Sequence, residues 1–259
     1  MKPLPLLLMF ALALPMLAQA EDEGIARIFQ AHGVEGTMVI TALPSGQTYI
    51  HNDARAARRY PPASTFKILN TLIAAQEWVV ADRDTPFKWD GREREMPDWN
   101  RDQTLASAFK VSCVWCYQDI ARKVGTDTYR RYLGQVGYGV LVEPFDLTTF
   151  WLTEQLQISA QEQVAFLKKV TQRQPPFGAH AYQVLQDVML VERTPSYRLF
   201  AKTGWAARSQ PQIGWYVGYV ERQGEVWLFA TNLDVRSDKD LPLRQAITRA
   251  VLEEKGALR

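Results

Sequence analysis

The strand-forming segments of this chain fall at its two ends, and this distribution limits the possible folds more than any other sequence feature. Near the N-terminus, residues 37–41 and 47–51 are rich in β-branched and aromatic residues, and Pro44-Ser45-Gly46 between them is a hairpin signal. Three more strand patterns follow near the C-terminus, over 197–202, 214–221 and 225–234. The sequence therefore predicts one central antiparallel sheet that is built from both ends of the chain.

Helical patterns fill the middle of the chain and flank the strands. A helical pattern begins near Ser64 and runs through Ile73. Its apolar residues lie on most sides, so we expect this helix to be buried. The other candidates are 24–33, 103–110, 115–123, 126–136, 159–172, 179–190 and 241–254. The expected fold is mixed α/β: the sheet is flanked by the N- and C-terminal helices, and an all-helical lobe is inserted. Residues 21–60 and 191–259 form the predicted sheet lobe and 61–190 the helical lobe, with a ligand cleft between them.

The first twenty residues have the pattern of a secretory signal peptide. Lys2 precedes a short apolar run, and Ala18-Gln19-Ala20 forms a small-x-small site that predicts cleavage after Ala20. We therefore expect residues 21–259 to form a single exported domain. The expected location is the periplasm, without a membrane segment in the mature chain.

Composition excludes several classes of partner. Lys and Arg total 30 against 28 for Asp and Glu, without a basic tract, so the sequence indicates neither nucleic acid nor a membrane surface as a partner. The three histidines, His32, His51 and His180, are scattered singly, and we expect no metal site.

Cys113 and Cys116 are the only cysteines, and an exported protein meets an oxidising compartment. On a regular helix, Cβ atoms three residues apart are separated by about 5–6 Å, whereas a disulfide needs about 3.5–4.5 Å. Buried thiols are therefore the favoured interpretation, and a disulfide, which requires a distorted turn, is the alternative.

The segment Pro62-Ala63-Ser64-Thr65-Phe66-Lys67 is a candidate catalytic motif. Side chains three residues apart on a helix are neighbours, so Ser64 can pass its proton to an uncharged Lys67 amine. The apolar neighbours predict a poorly hydrated pocket, which lowers the pKa of a lysine. Ser107-Ala108-Phe109-Lys110 has the same spacing, so the pair by itself does not identify a nucleophile.

Three further stretches support the pair near Ser64. Ser112, before a helix, is able to relay a proton, although an N-cap serine is the commoner meaning. Lys202-Thr203-Gly204-Trp205 combines a cation, a hydroxyl and a glycine that lets a ligand approach a strand. Arg244, at a helix start, suits a carboxylate. Each of these stretches is weak evidence alone.

Taken in order, these motifs resemble the penicillin-recognising serine enzymes, and most of all the class D β-lactamases, or oxacillinases. The likeness extends over the whole mature chain. It is carried by the stretches 62–67, Ser112-Cys113-Val114, Tyr138-Gly139, Phe150-Trp151-Leu152, 155–160 with Gln163, 202–205, 214–218 and Leu241-Pro242-Leu243-Arg244.

The resemblance implies hydrolysis of the β-lactam amide through a Ser64 acyl-enzyme. It also implies that carbon dioxide or bicarbonate converts Lys67 into a carbamate, N6-carboxylysine, which acts as the general base and is held by the Trp151 indole. No other cofactor and no metal are implied. Ser112 and Lys202 would serve the departing nitrogen, and Ser107 would be structural.

The same resemblance implies the substrate-binding residues. Thr203 and Arg244 would bind the substrate carboxylate, and the backbone N–H groups of Ser64 and Trp205 would form the oxyanion hole. Apolar side chains would line the pocket: Val114 and Leu152 in its wall, Met96 and Trp99 at its rim. One departure is Val140, which stands where the family usually has asparagine in Tyr-Gly-Asn.

The sequence is also compatible with two alternative functions. A penicillin-binding transpeptidase or a β-lactam sensor domain would share the serine and lysines but would acylate without fast turnover. The sequence also leaves open which β-lactams are preferred and whether the protein is a monomer or a homodimer.

Overall fold

A computed structural model describes residues 21–43 and 45–258 of the chain. The predicted signal peptide, residues 1–20, lies outside the described residues. Within them, nine α-helices occur in chain order: α1 (Glu23–His32), α2 (Asp53–Ala57), α3 (Lys67–Gln76), α4 (Leu105–Lys110), α5 (Val114–Val124), α6 (Thr126–Val136), α7 (Ala160–Thr171), α8 (Ala179–Met189) and α9 (Leu243–Glu254).

The described residues contain ten strands, six of which form the main sheet. In chain order they are β1 (Gly36–Leu43), β2 (Thr48–His51), β3 (Pro86–Phe87), β4 (Gln103–Thr104), β5 (Val140–Leu141), β6 (Leu156–Gln157), β7 (Leu190–Arg193), β8 (Arg198–Ala206), β9 (Gln212–Arg222) and β10 (Glu225–Val235). The main sheet has the order β2-β1-β10-β9-β8-β7 and is antiparallel throughout. The prediction of one antiparallel sheet from both chain ends is confirmed.

Helices cover both faces of the sheet, because alternate residues of each strand point to opposite sides. Met38 and Ile40 of β1 pack in a core with Ile25 of α1 and Val251 of α9. Val39, between them, belongs to the second core, which contains the helices of the middle segment. The terminal helices thus cover one face, as the sequence predicts. The middle segment covers the other face, with α7 in contact with β10 and β1.

Several local elements differ from the sequence expectation. Ser64 lies in a 3-10 turn, Ala63–Phe66, and regular helix begins only at Lys67. The short helix α2 and the edge strand β7 were not predicted, because five or four residues are too few for a periodic pattern. Two ladders of two residues each, β3-β4 and β5-β6, lie within the middle segment. The division into a sheet lobe and a helical lobe as domains stays a prediction.

The arrangement of β7 and β8 leaves part of a sheet edge open. β7 pairs with β8 only from Arg198 to Phe200. The rest of β8, from Ala201 to Ala206, pairs with β9 on its other side and has no strand on this side within the described chain. The turn Ala63–Phe66 contacts β8. The motif 202–205 therefore lies on a backbone edge without a neighbouring strand, beside Ser64.

No helix within the described residues is both long and apolar enough to cross a membrane.

Candidate active site

The turn that carries Ser64 is held in place by buried hydrogen bonds. Thr65 donates through Oγ1 to the carbonyl of Pro62 over 2.7 Å, and Gln163 of α7 donates to the same Oγ1 over 2.9 Å. The indole of Trp215 on β9 donates to the carbonyl of Pro61 over 3.0 Å. Helix α7 and the sheet thus fix the backbone on either side of the turn.

Ser64 and Lys67 are in hydrogen-bond contact. The Nζ of Lys67 lies 3.1 Å from the Oγ of Ser64 and donates to it, and only 1 % of Lys67 is exposed. Burial lowers the pKa of Lys67 from 10.5 to about 7, because the ammonium loses its hydration. Near neutral pH, a large fraction of Lys67 is then uncharged and able to accept a proton from Ser64.

The pocket around Lys67 is aromatic. The Nζ lies 4.7 Å from the centre of the Tyr117 ring, and the Tyr117 hydroxyl is 2.9 Å from Thr71. Trp151 is fully buried and stacks on Phe66 at a centroid distance of 5.9 Å. The buried Nε1 of Trp151 has no hydrogen-bond partner among the described residues. An unsatisfied buried donor is costly, and it marks a place where an acceptor would be stabilised.

Ser112 and Lys202 form the second contact between a hydroxyl and a lysine. Lys202 donates through Nζ to Ser112 Oγ over 2.6 Å and to the hydroxyl of Thr203 over 3.2 Å. Burial lowers the pKa of Lys202 well below its usual value, and the nearby charges of Lys67 and Arg244 lower it further. The structure thus brings together two serines, two lysines and a threonine at the open edge of β8.

Ser112 is not an N-cap. Its backbone is in the left-handed region, with a φ of 58°, and Cys113 occupies the N-cap position of α5. The interpretation of Ser112 as a helix cap is therefore wrong, and its hydroxyl is directed instead to Lys202.

Cys113 and Cys116 form a disulfide in this structure, so the favoured interpretation of free thiols is wrong. The physical reason lies at Cys113, whose ψ of 110° is not helical, so the spacing of a regular helix does not apply. Both cysteines are fully buried.

Arg244 reaches the site across the sheet. The aliphatic part of its side chain passes over Gly214. A Cβ atom added at Gly214 would lie only 2.8 Å from Cδ of Arg244, so a larger residue at this position would displace the arginine. Its Nη1 then donates to the carbonyl of Gly204 over 2.7 Å. Burial lowers the pKa of Arg244 to about 10. The guanidinium remains charged at neutral pH beside Thr203, where it is suited to bind an anion.

Gly204 allows the turn Ala63–Phe66 to approach the strand. A Cβ atom at this position would lie 2.9 Å from Cγ2 of Thr65 and 3.0 Å from the carbonyl oxygen of Pro62. The next residue, Trp205, is 37 % exposed, and its indole donates to Gln212 over 2.9 Å.

The predicted apolar pocket residues occupy different environments. Trp99 donates through Nε1 to the carbonyl of Val111, directly before Ser112, and Val114 and Leu152 are half-buried. Met96 precedes the 3-10 turn Pro97–Trp99 and is 45 % exposed. Val140 is also exposed and pairs with Gln157 in the β5-β6 ladder.

The second serine–lysine pair, Ser107 and Lys110, has a different environment. Ser107 forms a capping box with Thr104 at the start of α4, and its hydroxyl donates to Gln103 over 2.6 Å. Lys110 is exposed.

Sequence reasoning assigned no role to Gln163, Tyr117 or Trp215. Gln163 and Trp215 were noted only as part of the family resemblance, and Tyr117 has the appearance of an ordinary core aromatic. Their contacts with Thr65, Lys67 and Pro61 join residues far apart in the chain, so no local pattern indicates them. Among the described residues, no group of three or more His, Cys, Asp or Glu side chains is arranged to hold a metal ion.

Comparison with known proteins places this site in a family. Residues 36–253 match the model of the penicillin binding protein transpeptidase domain. β-Lactamase OXA-48 of Klebsiella pneumoniae is 39% identical over 227 residues, which cover 88% of this chain and 86% of that protein. A class D β-lactamase from Nostoc is 40% identical, with a TM-score of 0.87 over 90% of this chain and 98% of that structure. The chain belongs to the class D β-lactamases.

Another class D β-lactamase has a closely similar structure at lower sequence identity. FUS-1 (OXA-85) from Fusobacterium nucleatum subsp. polymorphum is 33% identical, with a TM-score of 0.90, and the match covers 93% of this chain and all of that structure. The resemblance stated from the motifs is thus confirmed, as is the expected mixed α/β fold of the β-lactamase and transpeptidase type.

Proposed function

We propose that this protein hydrolyses the β-lactam amide of penicillins and related antibiotics through a covalent ester on Ser64. The observation that carries the proposal is the contact of Ser64 with a buried Lys67, whose pKa of about 7 leaves an amine able to accept a proton. Membership of the class D β-lactamases supports the substrate class.

In the acylation step, the Oγ of Ser64 attacks the β-lactam carbonyl carbon and its proton passes to the base at residue 67. The carbonyl oxygen gains the negative charge, which the backbone N–H groups of Ser64 and Trp205 would stabilise. When the C–N bond breaks, the ring nitrogen takes the proton of the Ser112 hydroxyl. The proton that the base at residue 67 took from Ser64 then passes to Ser112, which leaves the base free for deacylation, while the Nζ of Lys202, 2.6 Å from the Ser112 oxygen, holds that hydroxyl in place.

Thr203 and Arg244 would hold the carboxylate of the β-lactam. The hydroxyl of Thr203 lies on the open edge of β8, and the charged guanidinium of Arg244 reaches the same strand at Gly204. The apolar side chains Val114, Leu152, Trp99 and Met96 would line the rest of the pocket. The nitrogen of the substrate then faces Ser112 and its carbonyl faces Ser64.

In the deacylation step, a water molecule loses a proton to the base at residue 67 and attacks the ester carbonyl, the Ser64 oxygen leaves and takes that proton, and the opened product departs. We propose that Lys67 carries a carbamate formed from carbon dioxide or bicarbonate, which would supply an oxygen base for both steps. The residues present fit such a group. The amine is largely uncharged, and Trp151 has a buried N–H without a partner in the described chain.

We also propose that the protein is exported to the periplasm. The support is the pattern of residues 1–20, with an apolar run and Ala18-Gln19-Ala20 before the acidic Glu21. N-terminal sequencing of protein from the periplasmic fraction should begin at Glu21, and a start at Met1 would contradict the proposal.

The decisive experiment mixes purified residues 21–259 with a chromogenic cephalosporin in large excess. We expect many ring openings for each protein molecule, and none with Ser64→Ala. One opening per molecule, followed by a stable adduct, would identify an acylating transpeptidase or sensor instead. Circular dichroism of both proteins checks that the Ser64 variant is folded.

A further inference from the structure

A cavity of about 640 Å³ shares Lys202 and Thr203 with the candidate active site. It begins at Lys202 and Thr203 and continues past Ala201 to the point where β7 departs from the edge of β8. Leu190 and Val191 of β7 line its far end. Its volume lies in the range of pockets that bind small molecules, about 300–1,000 Å³.

The chemistry of the reaction indicates which part of a substrate faces this cavity. In the proposed function, which this inference extends, Ser112 and Lys202 serve the ring nitrogen and Thr203 binds the ring carboxylate. The carbon that carries the carboxylate is bonded to that nitrogen, and the next ring atom in a cephalosporin carries a variable substituent. This substituent therefore lies beside Lys202 and Thr203, where the cavity begins.

The lining of the cavity contains both apolar side chains and charged or polar groups. Phe109, Val188 and Met189 are buried apolar residues in its lining, whereas Lys110 is exposed. No hydrogen bond or ion pair of the Lys110 side chain occurs within 21–43 and 45–258.

The other charged groups that line the cavity have partners. Arg83 and Asp84 lie 3.9 Å apart as an ion pair, and Asp187 accepts a hydrogen bond from Gln183 over 2.9 Å. Lys202 donates to Ser112 and Thr203. Lys110 is thus the charged group in the lining whose charge is not compensated by a neighbour in the described chain.

We propose that this cavity is a subsite for the substituent on the dihydrothiazine ring of cephalosporins, and that it favours a substituent with an apolar arm and an anionic end. The arm would lie against Leu190 and Val191, whose side chains are exposed, and the anion would approach Lys110. Specificity would then depend on a helix, α4, that carries none of the proposed catalytic residues.

Three cephalosporins with the same acyl side chain test this proposal. The first carries a methyl group on the ring, the second a longer arm that ends in a carboxylate, and the third the same arm with a neutral amide. We expect Lys110→Ala to lower kcat/KM for the carboxylate substrate about two- to fivefold, the effect of a partly exposed charge pair. For the methyl substrate, kcat/KM should change less than about twofold, because its methyl group carries no charge to pair with Lys110.

Two further variants separate the possible outcomes. Lys168 lies on the exposed side of α7, which does not line the cavity. Lys168→Ala therefore removes a similar charge elsewhere and should leave kcat/KM unchanged for all three cephalosporins. Val191→Trp partly fills the cavity from an exposed position and should lower kcat/KM for both long substrates but not for the methyl substrate.

Equal responses of all three substrates to Lys110→Ala and Val191→Trp would overturn the subsite. Absence of hydrolysis of the methyl substrate by the unmodified protein would instead overturn the proposed function.

Discussion

Lys202 donates a hydrogen bond to Ser112 over 2.6 Å, and this contact joins strand β8 to the turn before helix α5. The two residues are 90 positions apart in the chain. Ser112 is held in a left-handed backbone conformation, and the disulfide between Cys113 and Cys116 follows it directly. The position of a group proposed to protonate the leaving nitrogen thus depends on a covalently closed turn.

Replacement of both cysteines by serine tests this dependence. For a closed loop of four residues, the chain-entropy relation gives about 2 kcal/mol of stabilisation by the disulfide. We expect Cys113→Ser with Cys116→Ser to lower Tm by about 4–8 °C. We also expect kcat to fall, because Ser112 is less well held. An unchanged Tm and kcat would show that the disulfide has no role in either.

Lys67→Ala should slow acylation and block deacylation. Without the buried amine, no group at this position activates water, and we expect steady hydrolysis of a penicillin to fall at least about a hundredfold, the usual contribution of a general base. Mass spectrometry should show a covalent adduct that persists in Lys67→Ala and is absent from Ser64→Ala. Turnover of the lysine variant at the wild-type rate would refute the assignment of Lys67.

Turnover should depend on pH through Lys67. Its pKa is about 7. Below that pH the ammonium form predominates, which accepts no proton and forms no carbamate, so kcat should fall as the pH is lowered from 8 to 6. Added bicarbonate should restore activity on the acid side. A flat profile that does not respond to bicarbonate would argue against the carbamate.

Trp151→Phe isolates the role of the unpartnered indole N–H. Phenylalanine keeps an aromatic ring beside Phe66 but removes the donor. If the donor holds a carbamate on Lys67, this variant needs more bicarbonate for half-maximal activity than the wild type. Carbon-13 NMR with labelled bicarbonate measures the bound fraction directly. The same bicarbonate requirement in both proteins would mean that Trp151 contributes packing alone.

Gly204→Ala should disturb the contact between β8 and the turn Ala63–Phe66. The added methyl group meets Thr65 at 2.9 Å, and Thr65 has little freedom to move because two hydrogen bonds hold its side chain. We expect a loss of about 1–3 kcal/mol in the free energy of unfolding, typical of overpacking, and a lower kcat/KM.

Gly134→Ala is the matched control for the Gly204 variant. Gly134 lies in helix α6, and a methyl group added there would meet no neighbouring side chain or segment within 4 Å, so this variant should be as stable as the wild type or more stable. Denaturant unfolding of both variants measures the difference. Equal stability and activity of the two would show that the contact with Thr65 is not tight.

The sequence by itself determined the antiparallel sheet, the helices that flank it and the motifs of the site. These features follow from local patterns: alternation in strands, helical periodicity, and a serine and a lysine one turn apart. It did not reveal β7, since four residues at a sheet edge carry too little pattern, nor the disulfide, since the backbone at Cys113 departs from a helix.

Only the tertiary structure decided which serine–lysine pair is buried, and so which lysine has a lowered pKa. Ser64-Lys67 and Ser107-Lys110 have the same spacing, but Lys67 is 1 % exposed, whereas Lys110 lies at the surface. The free energy of an ammonium group depends on the water around it, and water is excluded by residues such as Tyr117 and Trp151, which are far away in sequence. Burial is a property of the packed chain, so no local spacing encodes it.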